Sequence, residues 1–199
     1  MTMNSNDVIW RQYYDKALSR PHHPRTAQAA SLNQSDCMVA IDCGCGTGSD
    51  VDYLLDRKYQ VHGFDINPVA VSLCKQRFGN HPSLHLSEAS FDDFEYPEAG
   101  VIVANSSLLF AEPKKLSAIW KRISTALVKG GVFAGNFMGP DDTWATNYRS
   151  STAPISEKQL QKMFTEFEIV RWDEQNEAGM TSLGRPKHWH SFSVTAIKR

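Results

Sequence analysis

Short apolar runs alternating with longer amphipathic ones predict a doubly wound α/β sheet of seven strands, mostly parallel with an antiparallel last strand, and helices on both faces. Three observations carry that expectation. The run "CMVAID" (37–42) leads into the glycine-rich "CGCGTG" and then into the helical spacing of Val51, Leu54 and Leu55. The same strand-then-helix order returns several times along the chain. Near the carboxyl end two strand-like runs, "FEIVRWDE" (167–174) and "HWHSFSVTAI" (188–197), follow one another with no helix between them, as an antiparallel pair at a sheet edge requires.

The first strand ends at the glycine loop, and "DVDYLLDRKY" (50–59) is the first helix after it. "QVHGFDI" (60–66) reads as the second strand. "NPVAVSLCKQRF" (67–78) opens with Asn67 as a cap and Pro68 at the first helical position, where proline's missing N–H costs nothing. "LHLSE" (84–88) and "GVIVAN" (100–105) are the third and fourth strands. "PKKLSAIWKRISTALVKGG" (113–131) reads as a helix closed by Gly130 and Gly131, followed by the strand "VFAGNFM" (132–138) and a helix near 156–165. Ahead of the first strand, residues 1–36 form an expected helical cap with "DVIWRQYYDKAL" as a helix and "SRPHHPR" as a proline-broken connection. No repeat or low-complexity tract divides the chain, so residues 1–199 are expected to form a single domain.

Composition narrows the partners. The chain has 199 residues, 22% of them charged, and a net charge of -1. Such a balance predicts neither disorder nor a surface for nucleic acid. No apolar run approaches the ~20 residues needed to cross a bilayer, and "MTMNSNDVIW" lacks the pattern of a secretory signal, so no membrane partner and a cytoplasmic location are expected. Cys43 and Cys45 stand one residue apart with no second pair elsewhere, which is not zinc-knuckle spacing; no metal is expected, and the glycines are the better lead.

The register of those glycines matters. Gly44, Gly46 and Gly48 spell G-x-G-x-G, whereas the dinucleotide fingerprint needs a glycine at position 49, which is Ser49. A phosphate-cradling lysine motif is also absent, so the loop suits a ligand without a pyrophosphate. Asp65 ends the second strand, where one carboxylate can accept hydrogen bonds from both hydroxyls of a ribose. It can equally cap the helix that follows.

Taken together, "VAIDCGCGTG", "VHGFD", "LSEASF" and "LVKGGVFAG" resemble the motifs of the class I S-adenosylmethionine-dependent methyltransferases over roughly residues 37–197. The closing antiparallel pair is similar to that Rossmann-like fold's last two strands. Within the family, "ALSRPHHP" resembles the lead-in segment of the small tellurite-resistance methyltransferases. The resemblance implies S-adenosylmethionine as cofactor, S-adenosylhomocysteine as product, and a role for each matching position. Asp42 would orient the loop and approach the methionine amino group, with Gly44, Gly46 and Gly48 against methionine and ribose. Asp65 would hold the ribose diol, Ile66 would pack on adenine, Glu88 would meet its amino group, and Ala89 would supply a backbone N–H. Asn105, Ser106 and Ser107 would lie at the methionine end where the substrate begins, and Arg20 would approach the methionine carboxylate from the cap. Cys43 and Gly100 depart from the family's usual aliphatic residue and Asp.

The acceptor is expected to be a small molecule met by a monomer or homodimer. The "NSSLLF" after the fourth strand is not the motif of base-amine enzymes, and no Pro-Cys pair of the cytosine C5 type occurs. A general base is needed only when the acceptor must lose a proton, and His22, His188 and His190 are the candidates. The last two share parity on one strand and are equally suited to bonding nearby backbone. Trp10, Tyr13, Tyr14, Trp144 and Trp189 are candidates for the substrate pocket, although such rings also dock cap helices. Asp141 and Asp142 either select a cationic acceptor or form a solvated turn. Two other functions stay open: a catalytically silent module that binds S-adenosylmethionine, and a nicotinamide-dependent oxidoreductase, against which Ser49 and the antiparallel ending argue.

Overall fold

A computed structural model describes residues 5–199 of the chain; the first four residues of the expected cap lie outside the described residues. The seven strands are β1 (Val39–Cys43), β2 (Gln60–Asp65), β3 (Leu84–Glu88), β4 (Ala99–Ala104), β5 (Leu127–Met138), β6 (Phe167–Met180) and β7 (Pro186–Lys198). They form one sheet in the order β3-β2-β1-β4-β5-β7-β6. Strands β1 to β5 run parallel, and β7 is antiparallel to both β5 and β6. The strand order reverses between β1 and β4, the switch point at whose carboxyl edge open α/β sheets bind ligands.

Six α-helices accompany the sheet: α1 (Ser5–Ala17), α2 (Pro24–Leu32), α3 (Ser49–Asp56), α4 (Pro68–Phe78), α5 (Leu116–Ala126) and α6 (Glu157–Met163). β4 shows why parallel strands read as unbroken apolar runs: all six of its residues are buried, because helices cover both faces. On one face α5 places Leu116, Ile119, Trp120 and Ile123 at helical spacing against Phe133, Phe137 and Phe164. Each such side chain contributes roughly 1.5–3 kcal/mol by leaving water. On the other face Ala29 of α2 and Val51, Leu54 and Leu55 of α3 pack on Val101, Val103, Val132 and Ala134.

Two expectations fail in detail. Pro24 and Arg25, expected to end the proline-broken connection, instead open the helix α2, which runs on to Leu32. Pro24 takes its first position, and the His23 side chain accepts a hydrogen bond from the Arg25 amide as its cap. The helix expected to close on Gly130 and Gly131 instead ends at Ala126, and Leu127 already pairs with Ala99. The ladder then slips between Ala99 and Val101, so residues 128–131 form an irregular stretch of β5 that Gly130 enters with φ +80°. Gly100 lies under this slip. A side chain there would run into the Cys37 carbonyl, which explains why glycine replaces the family's usual acid.

The β6–β7 hairpin reaches past the sheet. β5 pairs with β7 only as far as Met138 opposite Ser191, while β7 residues 186–190 pair with β6 alone. The hairpin therefore stands beyond the carboxyl edge of the sheet, alongside the loop that follows β5. No helix among the described residues is long and apolar enough to cross a membrane.

Candidate functional site

The glycine loop is built by its backbone angles. Gly44 (φ +75°), Gly46 (φ +53°) and Gly48 (φ +80°) are all left-handed, a conformation that costs other residues on the order of 1 kcal/mol or more. The Gly44 and Cys45 amides both donate to the Phe64 carbonyl, at 2.8 and 2.9 Å, which ties the loop to the end of β2. A Cβ on Gly44 would stand 2.5 Å from that of Ser107, so the loop also presses against the end of β4. Cys43 and Cys45 are buried small residues of this packing.

Three carboxylates gather around the loop. Asp65 is 9% exposed and accepts from the Gly46 amide at 3.0 Å and the Asn67 amide at 2.9 Å, so it supports the loop and the start of α4 together. Burial raises its pKa, and the amides of Asn67, Gly46 and Ile66 oppose that. Asp42 is 3% exposed and makes no side-chain hydrogen bond among the described residues. Burial pushes its carboxyl well above the usual range, and the charges of Asp50 and Asp65 push it further. Asp50, in the first turn of α3, accepts from the His23 amide at 2.7 Å and from Asn105 at 2.9 Å. Beside Asp65, Ile66 is 72% exposed, an apolar side chain left in solvent next to a buried acid.

The carboxyl end of β4 is equally specific. Ser106 is a non-glycine residue at φ +59°, and its amide donates to Asn136 of β5 at 2.6 Å. Asn105 donates to Thr26 as well as Asp50, and accepts from Arg25 Nε at 3.1 Å. Ser107 Oγ is buried without a hydrogen-bond partner. Arg25 was not singled out in the sequence. Its guanidinium reaches Asn105, Asn136 at 3.3 Å, and Ser193 of β7, joining α2 to three strands, and burial pushes its pKa down to about 10.

The remaining expected residues divide. Arg20 lies beside the loop: its carbonyl accepts from Ser49 at 3.0 Å, and its guanidinium is 5.4 Å from the Tyr13 ring centroid. Tyr14 is 3% exposed, and burial raises its pKa, with Asp65 adding to the rise. Glu88 is exposed opposite Asp65, but the Ala89 amide, expected to face a ligand, already donates to the Asp65 carbonyl at 3.1 Å. The three histidines do not converge. His22 stacks on Tyr53 at 4.0 Å, His188 bonds Asn176 at 2.7 Å, and His190 is held by Glu174 at 3.1 Å and by the Asp141 amide at 3.1 Å.

Asp142 is neither solvated nor free for a ligand. It caps Trp144, accepts the His190 amide at 3.0 Å, and forms a buried ion pair with Lys187, whose Nζ lies 3.6 and 4.6 Å from the ring centroids of Trp189 and Trp144. Asp141 faces His190 and Asn176. Asp142 is thus not left to select a cationic acceptor, because the β6–β7 hairpin supplies its partners, whereas Asp141 stays largely exposed.

This arrangement fits S-adenosylmethionine. A buried unpaired acid suits an ammonium group, a bare isoleucine suits adenine, and an orphan hydroxyl at the end of β4 suits a ligand that accepts a hydrogen bond.

Comparison with known proteins agrees with the geometry. Residues 40–131 match the family model described as a methyltransferase domain. The carboxy-S-adenosyl-L-methionine synthase of Chromohalobacter salexigens is 30% identical over 98 residues, 46% of this chain and 36% of that protein, so the chain spans about a third of this relative. TehB from Haemophilus influenzae superposes with a TM-score of 0.72 at 17% identity, over 89% of this chain and 63% of TehB. The 1,6-didemethyltoxoflavin-N1-methyltransferase of Burkholderia thailandensis, solved with 1,6-didemethyltoxoflavin and S-adenosylhomocysteine bound, superposes at 0.64 and 18% identity, over 94% of this chain and 80% of that enzyme. Residues 40–131 thus resemble a methyltransferase domain, and the chain as a whole has the fold of these S-adenosylmethionine-dependent methyltransferase structures.

Proposed function

We propose that this chain transfers the methyl group of S-adenosylmethionine to a small-molecule acceptor. The observation that carries the proposal is the gathering of Asp42, Asp50 and Asp65 around a left-handed glycine loop with Ile66 bare beside it. Buried acids repel a pyrophosphate and attract a ligand that carries ammonium and sulfonium charges. The same grouping argues against the nicotinamide reading. A neighbour of the same fold acts on 1,6-didemethyltoxoflavin, a small molecule, which supports that class of acceptor.

In this reading Asp42 meets the amino group, Asp65 the ribose diol, Ile66 and Glu88 the adenine, and the Asn105–Ser107 turn the methionine end. Arg20 would approach the carboxylate from beside α3. When bound, S-adenosylmethionine supplies an activated methyl: the acceptor's lone pair forms the new bond while the carbon–sulfur pair returns to sulfur, and any acceptor proton leaves to solvent. The protein's part is to place the acceptor in line and exclude water. Its devices are the Ser106 turn, held by Asn136, and the aromatic side chains around it. His188 and His190 are bound to Asn176, Glu174 and Asp141, so their role is to hold the hairpin and the loop after β5 together.

Incubation with methyl-labelled S-adenosylmethionine and a panel of small thiols, amines, phenols and metalloid oxyanions tests the reading. Label transfer to one class supports it; cofactor binding with no transfer to any acceptor would assign a silent binding module instead.

A further inference from the structure

Beside the cofactor side of the edge runs a chain of aromatic rings drawn from four separate segments. Tyr13 and Trp10 of α1 lie 5.7 Å apart, Trp10 and Phe110 5.7 Å, Phe110 and Tyr148 5.4 Å, Phe110 and Trp144 6.0 Å, and Trp144 and Trp189 5.8 Å. All six rings are partly exposed, unlike the buried core aromatics Phe64, Phe133 and Phe137. Rings serving only to dock a cap would be covered by the contact; these stay partly exposed. Phe110 follows by one 3-10 turn the Ser107 hydroxyl that lacks a partner, so the ring chain begins where the methyl would be delivered.

Two guanidinium groups lie over these rings. Arg149 is exposed and lies 4.5 Å from the Tyr148 ring centroid and 5.8 Å from that of Trp10; Arg20 lies over Tyr13. Neither has a carboxylate partner among the described residues, and Arg185 also acts on the Tyr148 hydroxyl. The remaining cation near the rings, Lys187, is neutralised by Asp142, and Asp141 is engaged by His190 and Asn176. Asp50 and Asp65 act on Tyr13 from the cofactor loop, where backbone amides already hold them. A guanidinium carries five N–H donors, so one held beside a tyrosine still has donors to offer a carboxylate.

We infer that the acceptor is a planar aromatic small molecule bearing an anionic group, its rings held among Trp10, Phe110, Trp144 and Tyr148 and its charge on Arg149. This inference rests on the proposed small-molecule methyltransferase function and specifies its substrate class. A cationic acceptor would meet the exposed guanidinium of Arg149 instead of a counter-ion.

Three probes of equal shape separate the possibilities: naphthoate, naphthylmethanol and naphthylmethylammonium, each titrated into protein saturated with S-adenosylhomocysteine and followed by tryptophan fluorescence quenching. Naphthoate should bind about tenfold or more tighter than the ammonium probe. Arg149→Gln should remove most of that preference while leaving naphthylmethanol and S-adenosylhomocysteine affinity unchanged. Equal or reversed order, no binding of any probe, or a preference that survives Arg149→Gln overturns the inference. Failure of S-adenosylhomocysteine to bind in the preceding titration would instead remove the methyltransferase reading, so the two failures are told apart.

Discussion

The two halves of the sheet's carboxyl edge treat charge in opposite ways. Over β1 and β2, Asp42 is buried with no side-chain hydrogen-bond partner among the described residues, and the charges of Asp50 and Asp65 oppose its ionisation. Over β5 and β7, the equally buried Asp142 is fully engaged by Lys187, Trp144 and His190. The fold engages the buried acid fully in one half and gives the one in the other half no side-chain hydrogen-bond partner among the described residues. On the proposed function, one half is finished by the protein itself and the other is completed by a ligand, because a buried carboxylate without a partner persists only at a cost in stability.

Breaking the finished half should have the largest effect. Lys187→Met leaves Asp142 as an uncompensated buried charge and should cost about 3–5 kcal/mol of stability in urea denaturation. S-adenosylhomocysteine affinity of the folded variant should change little. In the unfinished half the readout reverses: Asp65→Ala should weaken S-adenosylmethionine binding by about 1–3 kcal/mol in calorimetry, since two hydroxyls lose a charged partner.

Asp42→Asn sharpens the contrast through pH. The folded Asp42 carboxyl has a raised pKa, so its favourable protonated form is fully present below the unfolded value of about 4 and is lost as pH rises through the folded value. The ligand-free variant should therefore be more stable than the parent near neutral pH, with the gain vanishing below about pH 4. It should also bind S-adenosylmethionine more weakly. Denaturation at both pH values checks the sign. The smallest effect is expected of Ser107→Ala, which removes an unpartnered hydroxyl and should leave ligand-free stability unchanged or raised by less than about 1 kcal/mol.

The unfinished half was also the half most legible in the sequence. Left-handed backbone demands glycine, so Gly44, Gly46 and Gly48 announce their geometry, and Asp65 follows at the end of an apolar strand. Most of the strands were legible from the same apolar runs. The α2 helix was not, because His23 is an unusual cap and the prolines around it read as breaks. The start of β5 was hidden because the helical spacing of Ile119, Trp120 and Ile123 runs on into Leu127. The finished half depends on pairings between distant segments, Arg25 with Asn136 and Ser193, and Asp142 with Lys187, which no local pattern encodes. That is also why Asp142 read as a solvated turn.

The central claim is that the acidic, glycine-lined half is shaped for S-adenosylmethionine. Calorimetric titration of the purified protein with S-adenosylhomocysteine, and with NAD as control, tests it most directly. Saturable binding of S-adenosylhomocysteine and none of NAD is the predicted result; binding of NAD alone, or of neither, would contradict the account.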